Sequence, residues 1–314
     1  MLYNLSGPQV EPNSSYWTEK PYDPPQVIRL EELTRFTDDP DHPWFFPAWD
    51  ATPAVVTAEI NALKALAASR SAPLPQGYVS EFLQIRPVPL GAVTIQQASG
   101  KVIRTGAQLA RWFEAETPGL SHRHALNLLL PSSGFSPARQ ARVWAALDAT
   151  IYSAVLAAWH YKWYTSRADV RFRPRPNEVD GTLNVLFDTA PSPAEFRVAG
   201  DVTPNDGVLD LPTVASGVPR HPAYPSGHST IGAAASRLIA WFFPAHAVEM
   251  EKLGDNVGRA RLWAGVHYES DHTAGATLGR AVAELMIRQL QRDGAGDPVT
   301  YLTPPSNDTL QTHR

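Results

Sequence analysis

The chain has no cysteine in its 314 residues, which excludes disulfides and thiolate metal sites. Methionine is scarce too, at three. No apolar run approaches the roughly 20 residues needed to span a bilayer. The best stretch, Ile231 to Phe243, is too short and is interrupted by Ser236 and Arg237. Neither charge dominates: the net charge of −4 argues against a nucleic-acid binder and makes any arginine cluster a local feature. There is no internal repeat, no sustained heptad and no Gly-rich nucleotide loop. Met1 to Tyr16 is polar and contains proline, unlike a secretory leader, so a soluble, cytoplasmic protein is expected.

Proline is abundant, at 29 residues, and clusters outside the periodic segments. Residues 1–50, rich in Pro, Asp and aromatics, are expected to form an extended arm over a core. Residues 51–293 read as one helical catalytic domain, and 294–314 as a polar tail. Thr52-Pro53 pairs an N-cap with Pro at the first helical position and opens a helix to about Ala68, with Val56, Ile60, Leu63 and Leu66 on one side. Gly106 to Glu116 reads as a second helix. Ser121 is expected to cap a third, ending at Leu130. Ser136-Pro137 opens the longest, to about Lys162, with a buried stripe through Val143, Leu147, Ile151, Val155 and Ala158. Residues 177–222 read as loop. Ser226 opens a helix that stops at Pro244, Ala247 to Trp263 forms another, and His267 to about Arg292 the last.

Three motifs in the second half converge on the gripping of a tetrahedral oxyanion. The first is Arg173-Pro174-Arg175-Pro176, the second Pro225-Ser226-Gly227-His228, the third Arg261 followed by His267 and Asp271. Arginine offers a planar fork of donors matched to such oxygens. A Ser-Gly step opening a helix offers backbone N–H groups and the positive end of the dipole. Two histidines supply a nucleophile or ligand and a general acid. A helix from Val266 onward puts His267 and Asp271 on one face, one turn apart. The carboxylate then holds one ring nitrogen and leaves the other bare. For that pair alone, a solvated surface pair is the alternative.

The three motifs, in this order, resemble the superfamily shared by vanadium-dependent haloperoxidases and type 2 phosphatidic-acid phosphatases, including soluble acid phosphatases. The resemblance runs from about Asp148 to Arg288. The second motif is complete from Tyr224 to Ser229, and the third has Ala260 where serine is usual. The resemblance implies a mainly α fold, helical bundles of two four-helix-bundle-like units with long irregular connections. It implies catalytic His228, His267 and Asp271, and anion-binding Lys162, Arg175, Ser226, Gly227 and Arg261. His267 would also ligate vanadate, the implied cofactor, with phosphate competent for the same site. Lys162 stands further from Arg-Pro than the family spacing allows. Either Thr165 to Val170 loops out and Lys162 still reaches the anion, or Arg167 or Arg171 supplies its charge. Arg173 reads as a support behind the anion-binding groups or as a surface charge, and His221 as such a support or as a loop histidine. His272 reads as a packing or surface residue, and Trp263 as a candidate pocket wall.

Two chemistries fit the cage. In a haloperoxidase, hydrogen peroxide replaces a vanadate oxygen with help from His228, and halide is oxidised to hypohalite. In a phosphatase acting on a phosphomonoester or a prenyl or lipid diphosphate, His267 attacks phosphorus and His228 protonates the leaving oxygen. The wording around the second and third motifs leans to the haloperoxidase. A non-catalytic anion-binding module, supported by Ala260 and the Lys spacing, is the reading from another class. Oligomeric state stays open between monomer and homo-oligomer.

Overall fold

The structure is a computed structural model that describes residues 28–83, 89–90, 93–94, 103–115, 118–190 and 215–292. It is mainly α-helical: α1 Leu30–Thr37, α2 Pro53–Ser69, α3 Gly106–Ala115, α4 Leu120–Leu129, α5 Pro137–Trp159, α6 Pro176–Val179, α7 Gly227–Phe242, α8 Ala247–Trp263 and α9 Glu269–Arg292. The described strands are two antiparallel two-residue pieces, Pro89–Leu90 and Val93–Thr94. The 294–314 tail and residues 1–27 lie outside the described residues.

α7 is the axis of the fold. Its sequence is rich in small and apolar residues, and nearly all of the helix is buried. It packs against α5, α8 and α9, with α3 and α2 on the far side of α8 and α1 on α9. Small residues allow close crossings. A Cβ on Gly279 of α9 would lie 2.1 Å from the Thr230 carbonyl of α7, so only glycine lets the two backbones meet there. One apolar cluster joins α5, α7, α8 and α9 to the N-terminal residues Leu33 and Phe46. A second joins Ile60 and Leu63 of α2 to Leu183, Val185, Leu186 and Phe187.

Several local expectations need correction. Within the stretch read as an extended arm, residues 30–37 form a helix whose first turn carries Glu31 and Glu32, favourable at a helix N-terminus. Ser121 is not a cap. Gly119, at φ 92°, makes the turn into α4, and Ser121 is buried inside the helix, accepting from Trp112 Nε1 at 3.4 Å. The 177–222 loop contains α6, which Pro176 and Glu178 make possible: the Glu178 carboxylate accepts from the Arg175 amide at 2.5 Å. Residues 191–214 of that loop lie outside the described residues. The long α5 stops at Trp159 and continues as a π-turn, His160–Tyr164, closed by the Thr165 amide on the His160 carbonyl. The final helix begins at Glu269, so His267 precedes it.

Candidate active site

The third motif is built by a helix ending. The last turn of α8 closes with the Val266 amide on the Arg261 carbonyl (3.1 Å) and the Gly265 amide on the Leu262 carbonyl (2.9 Å). This is a Schellman ending with Gly265 in the left-handed region at φ 80°. It reverses the chain within five residues, so Arg261 and His267 both border one cavity. The pairing of His267 with Asp271 comes from the approach to α9 and not from a helical face. Asp271 Oδ2 accepts from His267 Nδ1 at 3.0 Å and from the Tyr268 amide at 2.9 Å.

The tautomer of His267 follows. Arg175 Nη1 lies 3.0 Å from His267 Nε2, and a guanidinium can only donate. Nε2 is therefore the bare acceptor, and Nδ1 carries the proton given to Asp271. Burial, then Arg175 and Lys162, push the imidazole well below its ordinary value, which keeps it neutral. Burial pushes the Asp271 carboxyl up, and Arg173 opposes this.

Arg173 is not a surface charge. It is buried and bridges Asp271 Oδ1 (2.7 Å), Ser270 Oγ (2.7 Å) and Glu59 Oε2 (2.6 Å), with its guanidinium 3.7 Å from the centre of the Tyr268 ring. It thus holds the carboxylate that holds His267. Glu59, from α2, also accepts from the Ser270 amide at 2.9 Å. Sequence reasoning missed Glu59; its signal is that it is the lone carboxylate of α2.

Arg175 is the arginine that faces His267. Its other donors go to the Val266 carbonyl (2.6 Å), the His221 carbonyl (2.9 Å) and His221 Nδ1 (3.1 Å). Burial lowers its pKa to about 9, which leaves it charged at neutral pH. His221 is therefore tied to the site, with its ring 5.0 Å from that of Trp159.

Lys162 sits on the π-turn and is fully buried. Its Nζ donates to the carbonyls of Pro222 (2.5 Å) and Ala223 (3.2 Å), just before the second motif. Burial and Arg175 lower its pKa, and Asp271 opposes this. Arg167 is committed elsewhere, to Asp38 (3.2 Å), the Phe46 carbonyl (2.7 Å) and Asp169 (3.3 Å). The extra residues 165–170 pack against the 38–46 segment through these bonds.

In the second motif, a cis Tyr224-Pro225 bond leads into α7. Ser226 caps the helix: its Oγ accepts from the Ser229 amide at 3.3 Å, and its own amide donates to the Asp271 carbonyl at 2.9 Å. The Gly227 and His228 amides, in the first turn, have no intrahelical acceptor by construction. His228 faces the Phe113 carbonyl with one ring nitrogen, and its Nε2 is buried without a hydrogen-bond partner. Burial, then Arg261, push its pKa well below the ordinary value.

A cavity of about 380 Å³ opens on Gly227, His228, Arg261 and His267. Its other walls are largely apolar: Ile151, Val155, Trp159, Phe187, Pro219 and Ile231. Trp159 is thus the tryptophan wall. Trp263 instead packs over Gly106 and donates to Tyr78 Oη at 3.3 Å. Glu114 also lines the cavity, held by Arg111 at 2.8 Å and by Ser216. The Arg261 guanidinium lies 4.7 Å from the centre of the Phe187 ring. Among the described residues, no His, Cys, Asp and Glu group would hold a bare metal ion, and no helix is long and apolar enough to cross a membrane.

Imidazole nitrogens, the buried Arg261 and the N-terminus of α7 border one space, a lining whose groups suit an oxyanion. Residues 142–295, which hold all three motifs, match the PAP2 superfamily. A vanadium-dependent bromoperoxidase of Corallina officinalis is 31% identical, over 27% of this chain and 19% of that protein. An acid phosphatase of Zymomonas mobilis is 37% identical, over 19% of this chain and 22% of its own length. The chain thus spans about a fifth of these relatives. Among solved structures, a holo-type bacterial vanadium-dependent chloroperoxidase aligns with a TM-score of 0.45 at 17% identity, covering 81% of this chain and 53% of that one. A bacterial vanadium-dependent iodoperoxidase aligns with a TM-score of 0.42 at 17% identity, covering 67% and 53%.

Proposed function

We propose that the chain is a vanadium-dependent haloperoxidase-like enzyme that uses hydrogen peroxide to oxidise halide. The observation that carries this reading is His228. Its Nε2 is buried and unpartnered at the anion site, and its ring is held neutral by burial and by Arg261. A neutral imidazole takes a proton, and hydrogen peroxide has one to give. The match to a vanadium-dependent bromoperoxidase, longer than that to an acid phosphatase, favours peroxide over a phosphate ester as the partner of that ring.

The residues present fit vanadate. His267 Nε2, unprotonated and facing Arg175, would be the nitrogen ligand, oriented by Asp271 and, behind it, Arg173. Arg175, Arg261 and Lys162 supply three positive charges for the oxygens, and the Gly227 and His228 amides add dipolar donors. Vanadate, once bound there, supplies Lewis-acid activation of the peroxide. The chain's own part is to hold the oxygens, accept the peroxide proton at His228 Nε2 and admit halide through the cavity.

Phosphoryl transfer is the second reading. Its specific support is the apolar cavity, which has room for the organic group of an ester or of a prenyl or lipid diphosphate. There His267 Nε2 attacks phosphorus. A bound dianion offsets the cations that depress His228 and restores its capacity to donate. The anion-binding module rests on Ala260 and on the Lys162 spacing; Lys162 Nζ donates to the Pro222 and Ala223 carbonyls beside the second motif. A paired assay separates the readings: vanadate, peroxide and bromide with a phenol-red-type acceptor, against an aryl phosphate without vanadate. Bromination dependent on vanadate and lost in His228→Ala supports the first reading. Aryl phosphate turnover without bromination overturns it.

A further inference from the structure

A second histidine–carboxylate pair stands beside the first, on the next residue of α9. His272 Nε2 lies 3.1 Å from Asp255 Oδ1, and its Nδ1 lies 2.9 Å from Ser229 Oγ. An ionised carboxylate only accepts, so Nε2 carries the proton and Nδ1 accepts from the Ser229 hydroxyl. Ser229 is in the first turn of α7, and its amide is the one that Ser226 Oγ caps. Ser226 in turn donates its amide to the Asp271 carbonyl. Consecutive residues of α9, Asp271 and His272, therefore grip opposite ends of the Ser226–Ser229 turn.

The packing makes room for this arrangement. A Cβ on Gly258 of α8 would lie 2.3 Å from His272 Nδ1 and 2.6 Å from Ser229 Oγ. No other residue at 258 leaves both groups in place. At its outer end Asp255 is anchored by Arg259 Nε at 3.0 Å and borders a second cavity of about 400 Å³. His272 is thus neither a surface residue nor a space-filler: both of its ring nitrogens are bonded, and the bonds run from the surface of α8 to the anion-binding turn.

We propose that Asp255, His272 and Ser229 form a positioning relay that holds the first turn of α7 so that the Gly227 and His228 amides and the His228 ring face the anion. The proposal rests on the reading of that turn as the anion site. None of the three touches the anion, so all are positioning residues. Asp271 fixes the turn through its backbone carbonyl, and the relay fixes the side that the backbone leaves free.

The test uses the full chain with His272→Ala, His272→Asn, Ser229→Ala and Asp255→Ala. Two quantities are read: hydrogen exchange of the Ser229 and Thr230 amides in ligand-free protein, and calorimetric affinity for orthovanadate and inorganic phosphate. His272→Ala and Ser229→Ala are expected to speed exchange at those amides and to weaken both anions roughly tenfold, the scale of one lost hydrogen bond. His272→Asn, whose Oδ1 can accept from Ser229, is expected to recover most of the loss, which a plain packing role would not allow. Should His272→Ala fail to fold, Ser229→Ala and Asp255→Ala, each removing one relay bond, carry the test. Unchanged exchange and affinity in folded variants, or no advantage of Asn over Ala, overturns the relay. If wild type binds neither anion, the anion-site reading fails, and the exchange measurement alone decides the relay: unchanged rates overturn it.

Discussion

Asp271→Asn tests the centre of the site. The carboxylate serves three donors: Arg173 Nη1 at 2.7 Å on Oδ1, and His267 Nδ1 at 3.0 Å with the Tyr268 amide at 2.9 Å on Oδ2. An amide offers one accepting oxygen where the carboxylate offered two. With the oxygen toward Arg173, the Tyr268 amide loses its acceptor. With the oxygen toward His267, the amide nitrogen confronts the Arg173 donor. Either way about one charged hydrogen bond goes, worth roughly 1.5–3 kcal/mol, and one buried donor is left unmet at roughly 1–3 kcal/mol. Glu59 still holds the other side of Arg173 at 2.6 Å, which limits the damage. The expected net loss is about 2–4 kcal/mol in urea unfolding. The effect on the site is separate. With the oxygen toward Arg173, the amide nitrogen donates to His267 Nδ1, and the ring proton moves to Nε2, where it blocks the lone pair. Calorimetric affinity for vanadate should then fall by about 10–100-fold, the scale for losing a partner that orients a ligand. A loss of stability with unchanged vanadate affinity would refute the assignment of His267 Nε2 as the ligand. No change in either would refute the Arg173–Asp271–His267 chain.

Lys162→Met should weaken vanadate binding by about 1.5–3 kcal/mol, and Arg171→Ala by much less; the reverse ranking in a titration would show that an arginine supplies the third charge. His228→Gln should keep vanadate affinity within about threefold while turnover drops by about 10²–10⁴, as for loss of a general base, read by steady-state kinetics in the bromination assay. Acid should destabilise the fold through the buried neutral histidines. His122, bonded to Ser236 at 2.8 Å inside the core, is lowered by burial to about 3. Between the unfolded value of about 6.5 and that folded value, only the unfolded state binds the proton. Stability contributed by the neutral ring is therefore present above about pH 6.5 and falls by about 1.4 kcal/mol per pH unit below it. Urea unfolding from pH 7 to 5 checks this, and His122→Asn should flatten the slope by one proton.

Local chemistry was legible in the sequence wherever its cause was local. Ser136-Pro137 and Ser226 announce their helices because a cap bond spans three residues, and α8 begins and ends where periodicity places it. The three motifs pointed to anion chemistry for the same reason, since each is a short stretch with its donors already close. The exchange of roles between Arg173 and Arg175 was only half legible. Both arginines precede a proline in equivalent local settings, and the one that faces His267 is decided by Glu59 and Asp271, which lie far from Arg173 in sequence. The seat of Lys162 depends on a π-turn and on residues 165–170 finding Asp38 and Phe46 as partners. His272 looked idle in sequence because its partners, Ser229 and Asp255, belong to two other helices, brought within reach by Gly258. Sequence alone pointed to the groups of the candidate oxyanion site, because donor type and cap geometry are properties of short segments. Only tertiary structure decided which nitrogen stays bare, which cation stands behind it and what holds the turn, because those depend on hydrogen bonds between helices, whose partners no local pattern specifies.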